Sequence, residues 1–383
     1  MKTFTLSVTF VVALSLLFSC KPKPEIEVLE TDYRNKSDIT VEGVPVDIEM
    51  PLSVHGMFHI DSLNIVLTED PRGYVFVYSD SWEPLGIFAQ KGRARNEFLD
   101  YPSWNSGQIF KGADGHILLP LSDRRARSIK LMDITESLAN HRAVITDSRY
   151  FEFDDVTTIE EDNRQISLAS SFTFLYLDDN IHHTVETTEA DFYDILHNPI
   201  EYRIRYDTAF VEKPGILTDM ERLVGPNRQS KFMRSHYRHP KRNLIIELFM
   251  YNDYIAFLDL DNNKSFFVHQ KDAITFDQEI ETKVIEQDGD SFTVPAFLKF
   301  NGAVLTDSFF MASYYDVTLD QTNVKPQLLF FDWDGNFIKS VRLSKATNYN
   351  VYDPKTKTLY GIDRRSDDEP LISFDLSSII DWQ

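Results

Sequence analysis

The stretch Gln327-Leu-Leu-Phe-Phe-Asp-Trp-Asp-Gly-Asn-Phe-Ile-Lys-Ser-Val-Arg-Leu343 decides the architecture. An apolar run of strand character ends in Asp332, Asp334-Gly-Asn336 forms a hairpin turn, and a second strand-like run follows. Upstream, Ala303-Val-Leu305 and Phe309-Phe-Met-Ala-Ser313 supply two more strands, so four strands succeed one another as a meander. The same phrase, an apolar run closed by aspartate, ends at Asp80, Asp133, Asp207, Asp259, Asp332 and Asp375. Six copies in one chain point to a repeat architecture.

The gaps between those aspartates are 53, 74, 52, 73 and 43 residues. A solenoid does not absorb such variation, whereas a propeller does, because insertions leave its blades through loops on the two faces. The fold expected is therefore all-β: a six-bladed β-propeller of four-stranded antiparallel blades, with short helices in face loops. Thr188 to Leu196 and Thr218 to Val224 carry helix-start signals and stop at Asn198-Pro199 and Gly225-Pro226, which places short helices there. The Asp of each phrase reads as a turn cap and not as a catalytic group.

The first residues carry an address. Lys2 precedes an apolar run from Phe4 to Phe18, too short and wrongly flanked for a membrane span. The run closes on Leu17-Phe18-Ser19-Cys20, which resembles the lipobox of bacterial lipoproteins, so Cys20 is expected to become the lipidated first residue. Cys20 is the only cysteine among 383 residues, so the folded part holds no internal disulfide. The boundaries that follow are 1–19 for the signal peptide, 20–37 for the lipidated N-terminus and tether, and 38–383 for one propeller. Without Lys2 the chain has 38 basic and 60 acidic residues, a net charge of −22. A surface this acidic repels nucleic acid and anionic lipid headgroups.

Phe88-Ala-Gln-Lys-Gly-Arg-Ala-Arg-Asn-Glu-Phe-Leu99 resembles the Gly-Arg-Gly-Pro-Asn/Gly-Glu-Phe phrase of TolB-like six-bladed propeller lipoproteins of Bacteroidota. Gly92, Arg93, Asn96, Glu97 and Phe98 match, while Ala94 and Arg95 stand where that family has Gly and Pro. The resemblance implies an exported six-bladed propeller and transfers no catalytic residue.

Candidate binding groups are basic. Residues 222 to 242 hold seven Lys and Arg and no acid. Arg228, Lys231, Arg234, His236, Tyr237 and Arg238 in this segment, Arg124, Arg125 and Arg127 in a second basic run with Lys130, and Arg93 and Arg95 are the expected ligand-binding set. Arginine forks match carboxylate, sulfate and phosphate, so an acidic glycan or an acidic peptide is the expected ligand. The histidine pairs His55/His59, His182/His183 and His236/His239 do not read as a metal site: strand residues four apart, as His55 and His59 are, lie about 13 Å apart, and adjacent ones such as His182 and His183 point to opposite faces. No metal and no cofactor is expected, and no nucleophile elbow, phosphate-binding loop or zinc-protease motif occurs. The function expected is a monomeric, non-enzymatic binding scaffold, tethered to the membrane through Cys20, for an acidic glycan or an envelope protein. The alternative is a carbohydrate-active enzyme, a glycoside hydrolase or polysaccharide lyase, working in an axial pocket.

Overall fold

Each described copy of the aspartate-ended phrase lies in the third of four antiparallel strands that build a sheet. The computed structural model describes residues 27–34, 37–51, 53–102, 109–150 except 124 and 127, four strands between 172 and 212, and 234–381 with short breaks at 243, 260–261, 263, 276–277, 279–280, 288–289, 319–323 and 364–369. Cys20 and both expected loop helices, 188–196 and 218–224, lie outside the described residues. Three short strands open the chain: β1 (Glu27–Thr31), β2 (Thr40–Val41) and β3 (Gly43–Pro45). The sheets follow in order. The first holds β4 (Val54–Ile60), β5 (Leu63–Thr68), β6 (Val75–Ser79) and β7 (Pro84–Phe88), and the second β8 (Phe110–Lys111), β9 (Ile117–Asp123), β10 (Ser128–Asp133) and β11 (Ile145–Tyr150). Next come β12 (Phe172–Leu177), β13 (Asn180–Glu186), β14 (Glu201–Arg205) and β15 (Phe210–Glu212), then β16 (Arg234–Arg238), β17 (Leu244–Phe249), β18 (Tyr254–Asp259) and β19 (Lys264–Gln270). A two-stranded ribbon, β20 (Thr282–Gln287) and β21 (Asp290–Pro295), precedes β22 (Phe297–Leu305), β23 (Phe309–Thr318), β24 (Gln327–Asp332) and β25 (Phe337–Leu343). The last sheet contains β26 (Asn348–Asp353), β27 (Thr358–Ile362) and β28 (Leu371–Asp375).

The sheets are stacked face to face by buried clusters, which is why their strands read as unbroken apolar runs; β17, for one, is buried along its whole length. Phe58, Val75 and Phe98 pack with Leu119 and Met132 between the first two sheets. Phe257 and Ile246 pack with Phe310 and Phe331, Phe309 and Phe330 with Leu359 and Phe374, and Val351 and Leu371 with Val66 and Phe76. Sheets packed on both faces and joined through the chain's end and start make a β-propeller with antiparallel blades. The described interiors form five blades where six were expected; the β12–β15 sheet is described by its backbone pairing alone. Among the described residues one α-helix occurs, α1 (Ile134–Asn140), and none is long and apolar enough to cross a membrane.

The aspartates behave as turn chemistry requires. Asp133 ends β10 and caps α1, accepting the Glu136 amide at 2.8 Å. Asp259 accepts the Asn262 amide at 3.0 Å, Asp332 the amides of Asp334 and Asn336, and Asp375 that of Ser377. Asp80 does otherwise, pairing with Lys355 at 3.2 Å; Asp207 lies outside the described residues. The β20–β21 ribbon is an insertion in the second long gap, and α1 lies in the first.

Closure comes from the N-terminal segment. β3 pairs antiparallel with β28 and supplies the fourth strand of the last blade. β2 adds in parallel to β25, and β1 in parallel to β19. One segment thus edges three consecutive blades. The sequence reading assigns residues 27–34 to a tether, yet the structure builds them into the sheet and core. The physical reason is Tyr33, wholly buried between the β16–β19 and β22–β25 blades with edge-on contacts to Tyr314 at 5.5 Å and Phe331 at 5.7 Å. Its hydroxyl donates to the Asp253 carbonyl at 2.9 Å, and its amide to Gln270 Oε1 at 2.7 Å. Tyr33→Ala removes a full aromatic side chain from a seam between blades. The expected loss is about 3–5 kcal/mol of unfolding free energy, read by urea denaturation.

Candidate functional site

The first strand of each described blade faces the axis. β4, β8, β16, β22 and β26 together line an axial cavity of about 1120 Å³. Strand direction alternates within a blade, so all the hairpins after first strands open on one face. Asp61, Lys111, Lys241 and Asp307 sit at or beside those hairpins on the cavity wall. They form two ion pairs between blades: Lys111 with Asp61 at 2.6 Å and Lys241 with Asp307 at 2.5 Å. Both pairs are half-exposed or more, so each adds little to stability and mainly sets the charge pattern of the mouth.

Deeper groups are polar and held in place. His59 is almost wholly buried, its Nδ1 within 2.9 Å of Asn64 Oδ1 and its Nε2 3.7 Å from Asp353. Because Asn64 Nδ2 donates to the Ser79 carbonyl at 2.8 Å, Asn64 turns its oxygen to His59, and His59 Nδ1 must be the donor. Burial and the neighbouring Asp353 push the Tyr352 phenol up to about 12, so it stays protonated. His239 is buried beneath the β16–β17 turn. Its Nδ1 accepts the amides of Lys241 at 2.9 Å and Arg242 at 3.2 Å, and its ring lies 4.4 Å from that of Trp333. Burial first, then the charge of Arg242, draws its pKa down to about 4. His239 is thus neutral and holds the turn that carries Lys241. Among the described residues no three His, Cys, Asp or Glu side chains gather as metal ligands.

The expected basic set divides. Tyr237 and Arg238 line the cavity. Arg234 and His236 belong to β16 and are described through the backbone alone. Arg93, Arg95 and Arg125 are exposed, and strand alternation puts their loops on the face opposite the first hairpins. Arg124, Arg127, Arg228 and Lys231 lie outside the described residues. Sequence reasoning missed Asp61, Lys111, Lys241 and Asp307 as a group, because each comes from a different blade and no local motif links them. The available signal was positional: each ends or follows the strand two places before an aspartate-ended one.

The Gly92 phrase proves to be a clasp between two blades. The Glu97 carboxylate accepts the Ala94 amide at 2.8 Å, and the Glu97 amide returns to the Ala94 carbonyl at 2.9 Å, so the turn forms without the Gly and Pro of the family phrase. A Cβ on Gly92 would lie 1.8 Å from Glu97 Oε2 and would displace the carboxylate that closes the turn. Phe98 is wholly buried, with Lys130 Nζ 4.6 Å from its ring centroid, and Lys130 also donates to the Glu97 carbonyl. Burial draws the Lys130 ammonium below the ordinary lysine value, opposed by Asp123. Asp123 in turn accepts the Leu99 amide at 2.8 Å. Lys130 is thus engaged within the clasp.

No family model and no curated protein matches the chain. Among solved structures it is similar to a member of the DUF4221 family from Bacteroides vulgatus, at 9% identity over 92% of this chain and 98% of that one, with a TM-score of 0.49. It is also similar to regucalcin, a calcium-binding protein from Agrobacterium tumefaciens, at 10% identity over 88% and 95%, with a TM-score of 0.43. A gluconolactonase from Xanthomonas campestris shares 11% identity over 85% and 87%, with a TM-score of 0.36. Likeness at this level carries no argument about the chemistry of the cavity, which rests on its own residues.

The histidine under the mouth makes the fold pH-sensitive in a defined direction. An unfolded His239 takes up its proton near 6.5 and the folded one only near 4. The unfolded state therefore binds more protons in that window, and stability falls as pH drops through it, being full above about 6.5. Urea denaturation at pH 7.5 and 4.5 should show a smaller loss on acidification for His239→Gln than for the wild type.

Proposed function

We propose that the protein is a cell-envelope lipoprotein, anchored through Cys20, whose propeller binds an acidic glycan in the axial cavity without chemically changing it. The observation that carries this reading is the cavity itself: about 1120 Å³, walled by first strands of five blades, with Arg238 on its lining and Lys111 and Lys241 at its mouth. That volume slightly exceeds the usual range for small-molecule sites, and it suits an oligosaccharide. An arginine on the wall offers two parallel hydrogen bonds to a carboxylate or sulfate. The carboxylates at the mouth, Asp61 and Asp307, are each engaged by a lysine, which favours a binding role for this face over acid–base work by a free carboxyl pair.

The anchor and the blade number belong to the same reading. The lipobox resemblance ending at Cys20 supports lipidation. The paired strands β12–β15 fall in sequence between the β8–β11 and β16–β19 blades, which supports a sixth blade closing the ring. β1 begins at Glu27 on the edge of the β16–β19 blade, so a lipid on Cys20 would be joined to the propeller at that blade.

Titration calorimetry against acidic and neutral oligosaccharides tests the ligand. Arg238→Ala is expected to weaken an acidic binder by about 10- to 100-fold, the worth of a charge-assisted hydrogen-bond pair, and to leave a neutral one unchanged. Absence of binding by every oligosaccharide sinks the glycan reading. Incorporation of radioactive fatty acid should disappear in Cys20→Ala, and labelling equal to the wild type would remove the anchor.

A further inference from the structure

We propose that the axial cavity contains a subsite for a single sugar ring, built by strand irregularities in three neighbouring blades, with Tyr349 as its aromatic platform and Asn301 as a hydrogen-bonding partner for ring hydroxyls. This deepens the reading of the cavity as a glycan site and rests on it. The observation is that three cavity-lining strands break register where they line the cavity. β4 shifts between Val54 and Gly56, β22 between Phe300 and Ala303, and β26 between Asn348 and Val351, while a further β22 shift between Leu298 and Phe300 lies off the wall. The residues at these breaks, Gly56, Asn301, Gly302, Tyr349 and Asn350, all lie on the cavity wall. The other shifts recorded, at Val77/Tyr78, Leu131/Met132 and Phe330/Phe331, sit in third and fourth strands beside the aspartate turns. Turn geometry accounts for those and not for the three along the axis. A bulge redirects a side chain at the expense of ladder hydrogen bonds, and such departures concentrate beside functional sites.

Tyr349 shows the cost most clearly. Its φ of 54° is left-handed, a conformation that bulky side chains rarely adopt and that glycine adopts freely. A tyrosine retained there gains something from its side chain that offsets the backbone strain. The ring is half-buried at the edge of the cluster between the last and first blades, so it is held in place while still lining the cavity. The next residue is locked as well. Asn350 Oδ1 accepts the Thr347 hydroxyl at 2.8 Å, and its Nδ2 donates to Ser313 Oγ of the neighbouring blade at 3.3 Å. Gly361 makes this possible, because a Cβ there would lie 2.1 Å from Asn350 Oδ1. On the adjacent first strand β22, Gly302 has a φ of 105°, and a Cβ added to it would meet the Tyr237 hydroxyl only at 3.7 Å, so the wall is open there. Asn301 beside it is exposed to the cavity. A fixed aromatic face with an amide on the neighbouring strand suits a pyranose ring, which has an apolar C–H face and a hydroxyl-bearing edge.

The test uses the full-length protein in detergent micelles, titrated with a galacturonate tetrasaccharide and with its neutral galactose counterpart. Ring stacking is common to both probes and charge recognition is not. Tyr349→Gly is expected to weaken both probes about tenfold while its melting midpoint stays equal or rises, since glycine relieves the left-handed strain. Tyr349→Phe should keep both affinities. A Tyr349→Gly protein that binds both probes as the wild type does overturns the subsite, even where Arg238→Ala weakens galacturonate alone. Equal loss of affinity and of melting midpoint in Tyr349→Gly also overturns it, because a packing role accounts for that pair. A wild type that binds neither probe overturns the glycan reading and the subsite with it.

Discussion

The buried carboxylate of Asp253 is the point through which the N-terminal segment holds the ring. A carboxylate without access to water is tolerated only when its charge is matched and its oxygens are hydrogen-bonded. Asp253 meets both demands by drawing on two blades and the segment at once. Arg34 pairs with Oδ2 at 2.5 Å, Lys299 approaches the same oxygen at 3.5 Å, and the Tyr314 hydroxyl donates to Oδ1 at 2.6 Å. Tyr33, next to Arg34, donates to the Asp253 carbonyl, and Lys299 also pairs with Asp316. Removing a partner would leave the buried carboxylate less well matched or less fully hydrogen-bonded, so the segment and the seam are held as one unit. In a chain whose only cysteine is Cys20, this network occupies the place that a disulfide has in many exported domains.

Closure from the outside has a consequence for the inside. In this protein β1, β2 and β3 all attach to outer edges, on β19, β25 and β28. No terminal segment is needed along the axis to complete a blade, so the first strands keep one edge toward the axial cavity. Those strands are therefore released from part of the demand for a regular ladder, and β4, β22 and β26 are where register breaks along the wall. Stability is concentrated at the rim and the seams, irregularity at the axis. A rigid scaffold that presents a polar interior is the usual outcome of such a division.

What could be read from the amino acids depended on how far apart the cooperating residues lie. The third strands were legible because an apolar run and its capping aspartate are neighbours; Asp332 and its turn need no long-range information. The helix α1 was missed although Asp133 and Glu136 carry a capping spacing, because its seven residues are too few to show a period. Gly92 to Phe98 was recognised as a phrase but not as a clasp, since Lys130 and Asp123, which complete it, lie in the next blade. The N-terminal segment carries no local sign of its place in the sheet, because Tyr33 and Arg34 find Asp253 about 220 residues later. Arg238 and Tyr237 came from composition alone, and the lysine–aspartate pairs of the mouth came only with the ring.

Charge bears on the kind of ligand such an interior can hold. The chain carries a net charge near −22 once the first lysine is set aside, and its field opposes every approaching anion. At the mouth Lys111 and Lys241 are each paired with an aspartate, and Arg238 lies on the same described wall. A densely sulfated or polyphosphate chain would meet more repulsion from the shell than one guanidinium repays. A ligand with one or a few carboxylates set among neutral rings meets less, and most of its contact would be with amides and a tyrosine. The bulged strands supply such groups, at Asn301, Asn350 and Tyr349. On the proposed reading, then, the acidic surface selects against highly charged polymers while Arg238 fixes the register of a weakly charged one. Affinity would rest chiefly on the uncharged part of the site.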